Sequence, residues 1–340
     1  MIDRDSPLPA YFQISRDLRH RISSGEWKPG NRLPSELVLM QQYQVSRMTM
    51  RQAILALVKD AILTRRRGHG TFVNLSFIEF LDDLQDQPDD LGLATNGIRQ
   101  RNHVWAKLRE VALPDSRFHW DFSLFIPDFQ GSTLCVEALC ETDMYRSSSV
   151  LFVAPDNSLT SFRRRAIEDQ KTVLVATSGI SRGFRLFVPG CVPIGQEELA
   201  ATLDGMDRFS QPAALSAIRQ LGAIDMMVTG VSFTTLDGVR SGLGYGYFDI
   251  EWAIFSELGV ALEETSIIAI AHDSQVIDMQ MGHSPSDARA DWIVTPTRMI
   301  QTLQKQPRPV GVIWSHFSPD LIDRIPFLRD LALLKAAQLA

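Results

Sequence analysis

Cysteine is scarce: three residues in 340, Cys135, Cys140 and Cys191. Three thiols cannot all pair, and none stands at metal-ligand spacing from a histidine, so a disulfide framework and a thiolate zinc site are both excluded. Reduced thiols in a cytoplasmic protein are the expectation. No apolar run approaches the roughly 20 residues of a membrane-spanning helix, and no basic-then-apolar leader opens the chain. No membrane partner is expected. No Ser/His/Asp or Cys/His arrangement can be assigned from spacing, which leaves nucleophilic hydrolysis without a candidate. Charged residues at 22% and hydrophobic ones at 45% exclude a disordered chain. The length suffices for two domains with separate cores.

Basic charge is also scarce, except at one end. Residues 1–76 hold 12 Lys/Arg against 6 Asp/Glu, leaving 22 against 34 of the chain's 34 and 40 for the remainder. A head of +6 on a body of −12 implies that only the head meets a polyanion. Its pattern supports that. Tyr11, Ile14, Leu18 and Ile22 recur at helical spacing, with Arg16, Arg19 and Arg21 on other faces, before "SSGEWKPG" ends the helix. Ser35 is placed to N-cap a second helix, with Glu36 in its first turn. Gln44 and Val45 make a tight connection, and Ser46 caps a third helix with Met50, Ile54, Leu57 and Val58 on one stripe. Arg47, Thr49 and Arg51 lead that helix, as in a helix-turn-helix whose second helix enters the major groove. "LTRRRGHGTFV" alternates around Gly68-His69-Gly70 and predicts a two-stranded wing with Arg65, Arg66 and Arg67 toward phosphates or a minor groove.

Residues 7–73 resemble the GntR family of winged-helix transcription regulators in "PLPAYFQI", "SGEWKPGNRLPSE", "VSRMTMRQAILAL" and "RRRGHGTFV". The resemblance implies double-stranded operator DNA as partner and a homodimer. It places Ser46, Arg47, Thr49 and Arg51 on DNA from the recognition helix and Arg67, Gly68 and His69 from the wing, with Ser35 and Arg66 in the same set. Leu37 stands where many relatives carry arginine, which removes one expected contact.

Residues 77–97 hold six acidic residues between Glu79 and Asp90 and read as a linker. Phe77, Phe80, Leu81 and Leu84 fit either a short helix within it or a strip packed between two subunits. Beyond it, "VLFVAP", "KTVLVAT", "DMMVTGVSF", "SIIAIAHD" and "VGVIWS" read as buried strands. "SLTSFRRRAIED", "YFDIEWAIFSELG" and "TRMIQTLQKQ" between them suit helices. Alternating units predict an α/β domain over 98–340 with a mostly parallel, Rossmann-like sheet behind an α+β winged helix over 1–76. Ligands of such sheets sit beyond the carboxyl ends of the strands. There lies "RSGLGYGYFD", whose alternating glycines bare backbone N–H groups ahead of a helix. It is either a phosphate cradle or a tight strand-to-helix connection. His272 and His283 lie near the same presumed cleft.

Residues 98 to about 298 resemble the 5-formyltetrahydrofolate cyclo-ligase family, most clearly in "GVRSGLGYGYFD", then in "SIIAIAHDSQVID" and "DARADWIVT". "IRQRNHVWAKL", "IPDFQGS" and "PDNSLTSFRRRAI" look like a divergent paralogue branch. The resemblance implies a ligand set of Arg99, Arg240, Gly242, Gly244, Gly246, Tyr247 and Asp249, with Asp249 toward magnesium. The ligand is then ATP with magnesium, a folate, or a thiamin-related compound. Three departures count against turnover: Thr95 replaces a lysine, Phe248 a tyrosine and Ile250 an arginine. The expectation is a transcriptional regulator whose enzyme-derived domain senses a small metabolite. The alternative is a bifunctional protein with working ATP-dependent cyclo-ligase activity.

Overall fold

The structure is a computed structural model. It describes residues 9–23, 26–27, 30–59, 62–66, 70–73, 103–113, 122, 125–177, 180, 182–241, 246–279, 281, 286–302, 307–317, 322 and 325–339. Arg67, Gly68, His69, Arg99, Gly242, Gly244, His283 and the linker helix through Phe77 lie outside these residues. The chain divides into two compact units, Met1–Ala94 and Thr95–Ala340, and the boundary falls within the stretch read as linker.

The first unit is α1 (Ala10–Ser23), α2 (Glu36–Tyr43), α3 (Arg47–Lys59), β1 (Leu63–Arg66) and β2 (Gly70–Val73). Ile14, Leu18 and Ile22 of α1 meet Met50, Ile54 and Leu57 of α3 in a closed core, as their spacing predicts. Ser35 caps α2 by accepting from Val38 N. Gln44 ends α2 in the left-handed region, φ 51°, donating its N–H to Met40 O, which turns the chain at once into α3. Strands β1 and β2 pair antiparallel, Leu63 with Val73 and Arg66 with Gly70. Residues 30–33 add a third line to this sheet, unforeseen in "PGNRLP": Leu33 N donates to Thr71 O and Val73 N to Asn31 O.

The second unit is built on an eight-stranded sheet in the order β13-β12-β10-β7-β3-β4-β5-β6. Its strands are β3 (Val150–Val153), β4 (Thr172–Ala176), β5 (Phe184–Phe187), β6 (Gln211–Ala213), β7 (Met226–Gly230), β10 (Ser266–Ile270), β12 (Trp292–Val294) and β13 (Met299–Gln301). The five from β12 to β4 run parallel, and β13, β5 and β6 are antiparallel edges. Helix α4 (Ser132–Cys140) precedes β3, α5 (Thr160–Glu168) crosses from β3 to β4, and α6 (Tyr247–Glu257) and α7 (Pro326–Leu339) follow. A small sheet, β8 (Phe233–Thr235) between β9 (Arg240–Ser241) and β11 (Val276–Ile277), extends beyond the carboxyl end of β7.

Two sequence expectations are corrected here. "VGVIWS" is not a strand. Gly311 N donates to Ser256 Oγ and Val312 N to Glu257 Oε2, so side chains of α6 take the amides a strand would need. Val310 is 88% exposed. The fifth parallel strand is instead β12, in "DARADWIVT". "TRMIQTLQKQ" is not a helix across its first half. Met299–Gln301 form β13, because Thr295 N and Arg298 O close a hairpin that returns the chain along β12.

Aspartates clamp the amino edge of the sheet. Asp225, just before β7, accepts from Ser149 N at 2.7 Å and Val150 N at 2.9 Å. Asp291, just before β12, accepts from Ile267 N at 2.7 Å. Each fixes the start of the neighbouring parallel strand and hence its register. Asp225→Ala removes one acceptor from two amides and is expected to destabilise the chain by about 1–3 kcal/mol in guanidinium unfolding. Asp225→Asn, which keeps an acceptor oxygen, should lose less. An alanine variant as stable as the parent contradicts the clamp.

Candidate functional site

Two surfaces carry the candidate residues, one on each unit. On the first, α3 presents Arg47, Met48, Arg51 and Gln52 to solvent from its N-terminal turns, with Met48 75% exposed. The helix dipole puts partial positive charge at the same end. Ser46 Oγ accepts from Thr49 N at 3.2 Å, and the two hydroxyls lie 2.9 Å apart. Ser46 and Thr49 thus build the cap that holds the arginines in place. Ser35 is likewise exposed and capping. Leu37 is 63% exposed on α2. Arg65 of the wing is ion-paired with Glu36, which ties β1 to the first turn of α2. Arg21 joins α1 to α2, stacking over Trp27 at 4.3 Å and donating to Tyr43 Oη at 3.0 Å.

On the second unit the described candidates, Arg240, Gly246, Tyr247 and Asp249, lie in or follow the small sheet beyond the carboxyl end of β7, the strand that pairs with β3. These strands are neighbours, yet the chain between them travels out through β4, β5 and β6 before returning. That makes their carboxyl ends the switch point of the sheet, where ligands of open α/β folds bind. Asp156, just after β3, accepts from Gly230 N at 2.8 Å. A Cβ on Gly230 would stand 2.7 Å from Ser158 Oγ and 3.0 Å from Asp156 Cβ, so only glycine fits there. Arg163 of α5 is 1% exposed and donates to Ala154 O, Asp156 O, Ala201 O and Thr160 Oγ1. Burial raises the Asp156 carboxyl, while the Gly230 amide and the charges of Arg163 and Arg240 pull it back.

The glycine loop runs from β9 into α6. Gly246 is left-handed, φ 57°, and its carbonyl starts the helix by accepting from Asp249 N and Ile250 N. Arg240 does not stand free. Its Nη2 lies 2.6 Å from Asp249 Oδ1, its Nε donates to Ala288 O at 2.8 Å, and its guanidinium stacks over Phe248 at 4.2 Å. Asp249 Oδ1 also accepts from Ala288 N at 2.8 Å. The pair therefore pins the first turn of α6 to the "DARADWIVT" segment. Burial pushes the Asp249 carboxyl up to about 6 against the pull of Arg240, and Asp287 adds to the rise. Tyr247 is half-buried beside them, while Phe248 and Ile250 face the core at 7% and 4% exposure.

Three residues here went unremarked in the sequence: Asp156, Ser158 and Glu251. Glu251, within "YFDIEWAIF", is 2% exposed, and its Oε2 has no hydrogen-bond partner. Burial holds its carboxyl well above the usual range, and Asp156 and Asp249 add to that. A second acid, two residues past Asp249 in an otherwise apolar helical run, was the available signal. No group of three His, Cys, Asp or Glu among the described residues is arranged to hold a metal. Asp249 Oδ1 is already engaged, so the described side chains do not fit a metal held by protein alone. His272 caps the short helix Asp273–Gln275 and packs edge-on to Phe129 at 5.7 Å, a structural role.

A cavity of about 480 Å³ near Cys140, Tyr145, Arg165 and Lys171 lies elsewhere. Lys171 Nζ there donates to the carbonyls of Tyr145 and Arg146, and burial pushes the Cys140 thiol up to about 11. It offers no activated nucleophile. All three cysteines are free. No helix among the described residues is long and apolar enough to cross a membrane.

Comparison with known proteins follows the same division. Residues 10–73 match the bacterial regulatory proteins of the gntR family, and residues 95–296 match the 5-formyltetrahydrofolate cyclo-ligase family. The human methenyltetrahydrofolate synthase domain-containing protein is 32% identical over 250 residues, covering 72% of this chain and 63% of that protein. The chain thus spans less than two thirds of that relative's length. The HTH-type transcriptional repressor NagR of Bacillus subtilis (strain 168) is 45% identical over 73 residues, 22% of this chain and 30% of the repressor. The NMR structure of Aquifex aeolicus 5,10-methenyltetrahydrofolate synthetase is 15% identical, covers 62% of this chain and 94% of its own, and gives a TM-score of 0.38. A match over more than half its length makes the chain a member of the 5-formyltetrahydrofolate cyclo-ligase family, joined at residues 10–73 to a GntR-type helix-turn-helix DNA-binding domain.

Proposed function

We propose that this protein is a cytoplasmic transcriptional regulator whose cyclo-ligase-like domain binds a small metabolite and signals its presence to DNA. The observation that carries the reading is Ile250. Where the family's loop pattern has an arginine, this chain has a side chain turned into the core, at 4% exposure. Phe248 beside it lacks the hydroxyl of a tyrosine, and Arg240 is neutralised by Asp249. Transfer of a phosphoryl group needs cations and donors where charge develops, and losing one such donor costs about 3 kcal/mol of barrier. Binding needs less. The ligand is a nucleotide, a folate or a thiamin-related compound, held by the loop from Arg240 to Asp249 with Gly242, Gly244, Gly246 and Tyr247.

On the DNA side, Arg47 and Arg51 reach base edges from α3, with Ser35, Ser46 and Thr49 around them. Arg66, Arg67, Gly68 and His69 contact the backbone from the wing. One winged helix reads few base pairs, so a homodimer on a two-fold symmetric operator is the working form. The likeness to NagR, a transcriptional repressor by name, supports regulation as the role of residues 10–73.

Three measurements test this. With an operator selected from random duplexes, Arg47→Ala should weaken specific binding by about 1–3 kcal/mol. Arg66→Ala should lower affinity for all sequences and reduce the salt slope by about one unit. Unchanged operator binding by Arg47→Ala contradicts the assignment. In the second measurement, 5-formyltetrahydrofolate and Mg-ATP should give no methenyl product above background, followed by its absorbance. Turnover at enzymic rates, on the order of 1 per second or faster, establishes the bifunctional alternative instead. In the third, ATP, folates and thiamin phosphates are titrated against operator binding, and one should shift it by about 1–3 kcal/mol. Gly246→Val places a side chain at a left-handed position with its Cβ 3.3 Å from Asp249 Oδ2. It should abolish that shift and leave DNA binding intact. A Gly246→Val protein that folds and still responds reduces the loop to a turn.

A further inference from the structure

Among the described residues of the first unit, four large apolar side chains are exposed: Leu37 and Val38 on α2, Met48 and Leu55 on α3. Exposed apolar residues taken singly are ordinary. Met48 differs in degree and in company. At 75% it is the most exposed of the four, and it is not among the side chains packed on the core of the unit. Its apolar surface therefore contributes little to folding. Residues three and four apart are neighbours on a helix surface, so Arg51 and Gln52 flank Met48, while Arg47 precedes it. All three are exposed. Thr49, the next residue, is drawn back to Ser46, with the two hydroxyls 2.9 Å apart. The leading turns of α3 thus present one apolar group among two cations and an amide.

The charge of the surroundings selects the partner, and the side chain selects what it touches there. Residues 1–76 carry +6 against −12 for the remainder, so the surface around Met48 suits a polyanion. On a duplex, phosphates and the hydrogen-bonding edges of bases offer a thioether little. In the major groove the 5-methyl of thymine is the apolar group that a base pair presents. Arg47 and Arg51 have the donors that suit guanine or phosphate, and Gln52 has the amide that suits adenine. Met48 has only carbon and a weakly accepting sulfur. Its unbranched chain adapts to a shallow apolar contact.

We propose that Met48 sets operator specificity by packing on the 5-methyl group of a thymine in the major groove of each half-site. The assignment rests on the reading that α3 enters that groove. It goes further by naming a base and the group that marks it. Leu55 supplies the contrast. It lies on the same face of α3 but about 10 Å further along the axis, away from the end that leads into the groove.

The test uses the full chain and the operator selected from random duplexes. Each thymine of one half-site is replaced in turn by deoxyuridine, which lacks only the methyl group. Affinity is read by fluorescence anisotropy at one fixed salt concentration. At one thymine the replacement should weaken binding about threefold to tenfold, the scale of uncovering a methyl group and its contacts. In Met48→Ala the same replacement should leave affinity unchanged. Met48→Leu, which keeps an apolar end, should retain part of the penalty, and Leu55→Ala all of it. Because Met48 is exposed, its alanine variant should unfold at the parent's guanidinium midpoint, so a lost penalty is not a lost fold. A selected half-site without thymine overturns the proposal. So does a full penalty in Met48→Ala, or its disappearance in Leu55→Ala. Specific operator binding with no methyl-sensitive thymine defeats this assignment and leaves DNA recognition standing. Absence of any sequence-specific binding defeats both.

Discussion

The hydrogen bond from Gly230 N to Asp156 Oδ2 holds together the two strand ends on which the candidate cleft is built. Strands β3 and β7 pair along Leu151–Val153, but their chains part immediately beyond, one into α5 and the other into β8. An open sheet gapes at such a point, and that gap is what admits ligands. Here a buried carboxyl bridges it. Asp156 stays there because β7 gives it the Gly230 amide and the charge of Arg163 lies nearby, and Arg163 itself is anchored on three carbonyls. Any side chain on Gly230 would push Ser158 and Asp156 aside. Arg163 ties α5 to the same turn by donating to Asp156 O.

The first unit was legible almost throughout because its determinants are local. Ile14, Leu18 and Ile22, or Met50, Ile54 and Leu57, declare a helix face by spacing alone, and Ser35 and Ser46 declare where helices start. What escaped was the pairing of residues 30–33 with β2. That pairing joins segments some 40 residues apart and runs through "PGNRLP", a composition that signals a turn. In the second unit β3, β4, β7 and β10 announce themselves as apolar runs. "VGVIWS" has the same composition, yet its amides are claimed by Ser256 and Glu257. A short apolar run reports burial. It does not report which partner takes its hydrogen bonds.

Site residues were legible as types and not as partners. Arg240 and Asp249 stand out in "GVRSGLGYGYFD", and the natural assignment gives one an anion and the other a metal. Their approach to 2.6 Å over a shared contact with Ala288 depends on where "DARADWIVT" folds back, which no local pattern records. Each thereby spends part of its charge on the other. Asp156 and Ser158 sit in a stretch that reads as an ordinary turn before a helix. Their importance comes from Gly230, over 70 residues away.

The burial of Ile250 bears on why an enzyme fold would persist beside a DNA-binding domain. Restoring an arginine at this position would place a guanidinium among the apolar residues of the α6 face that covers the sheet. A charge there, without a partner and its hydrogen bonds, costs several kcal/mol, a large part of the stability of most domains. The helix is packed as a core element on that side, and Asp249 turns toward Arg240. The described arginines at this edge, Arg163 and Arg240, are held by protein acceptors. Arg240 and Asp249 couple the first turn of that helix to the strand-loop system around it.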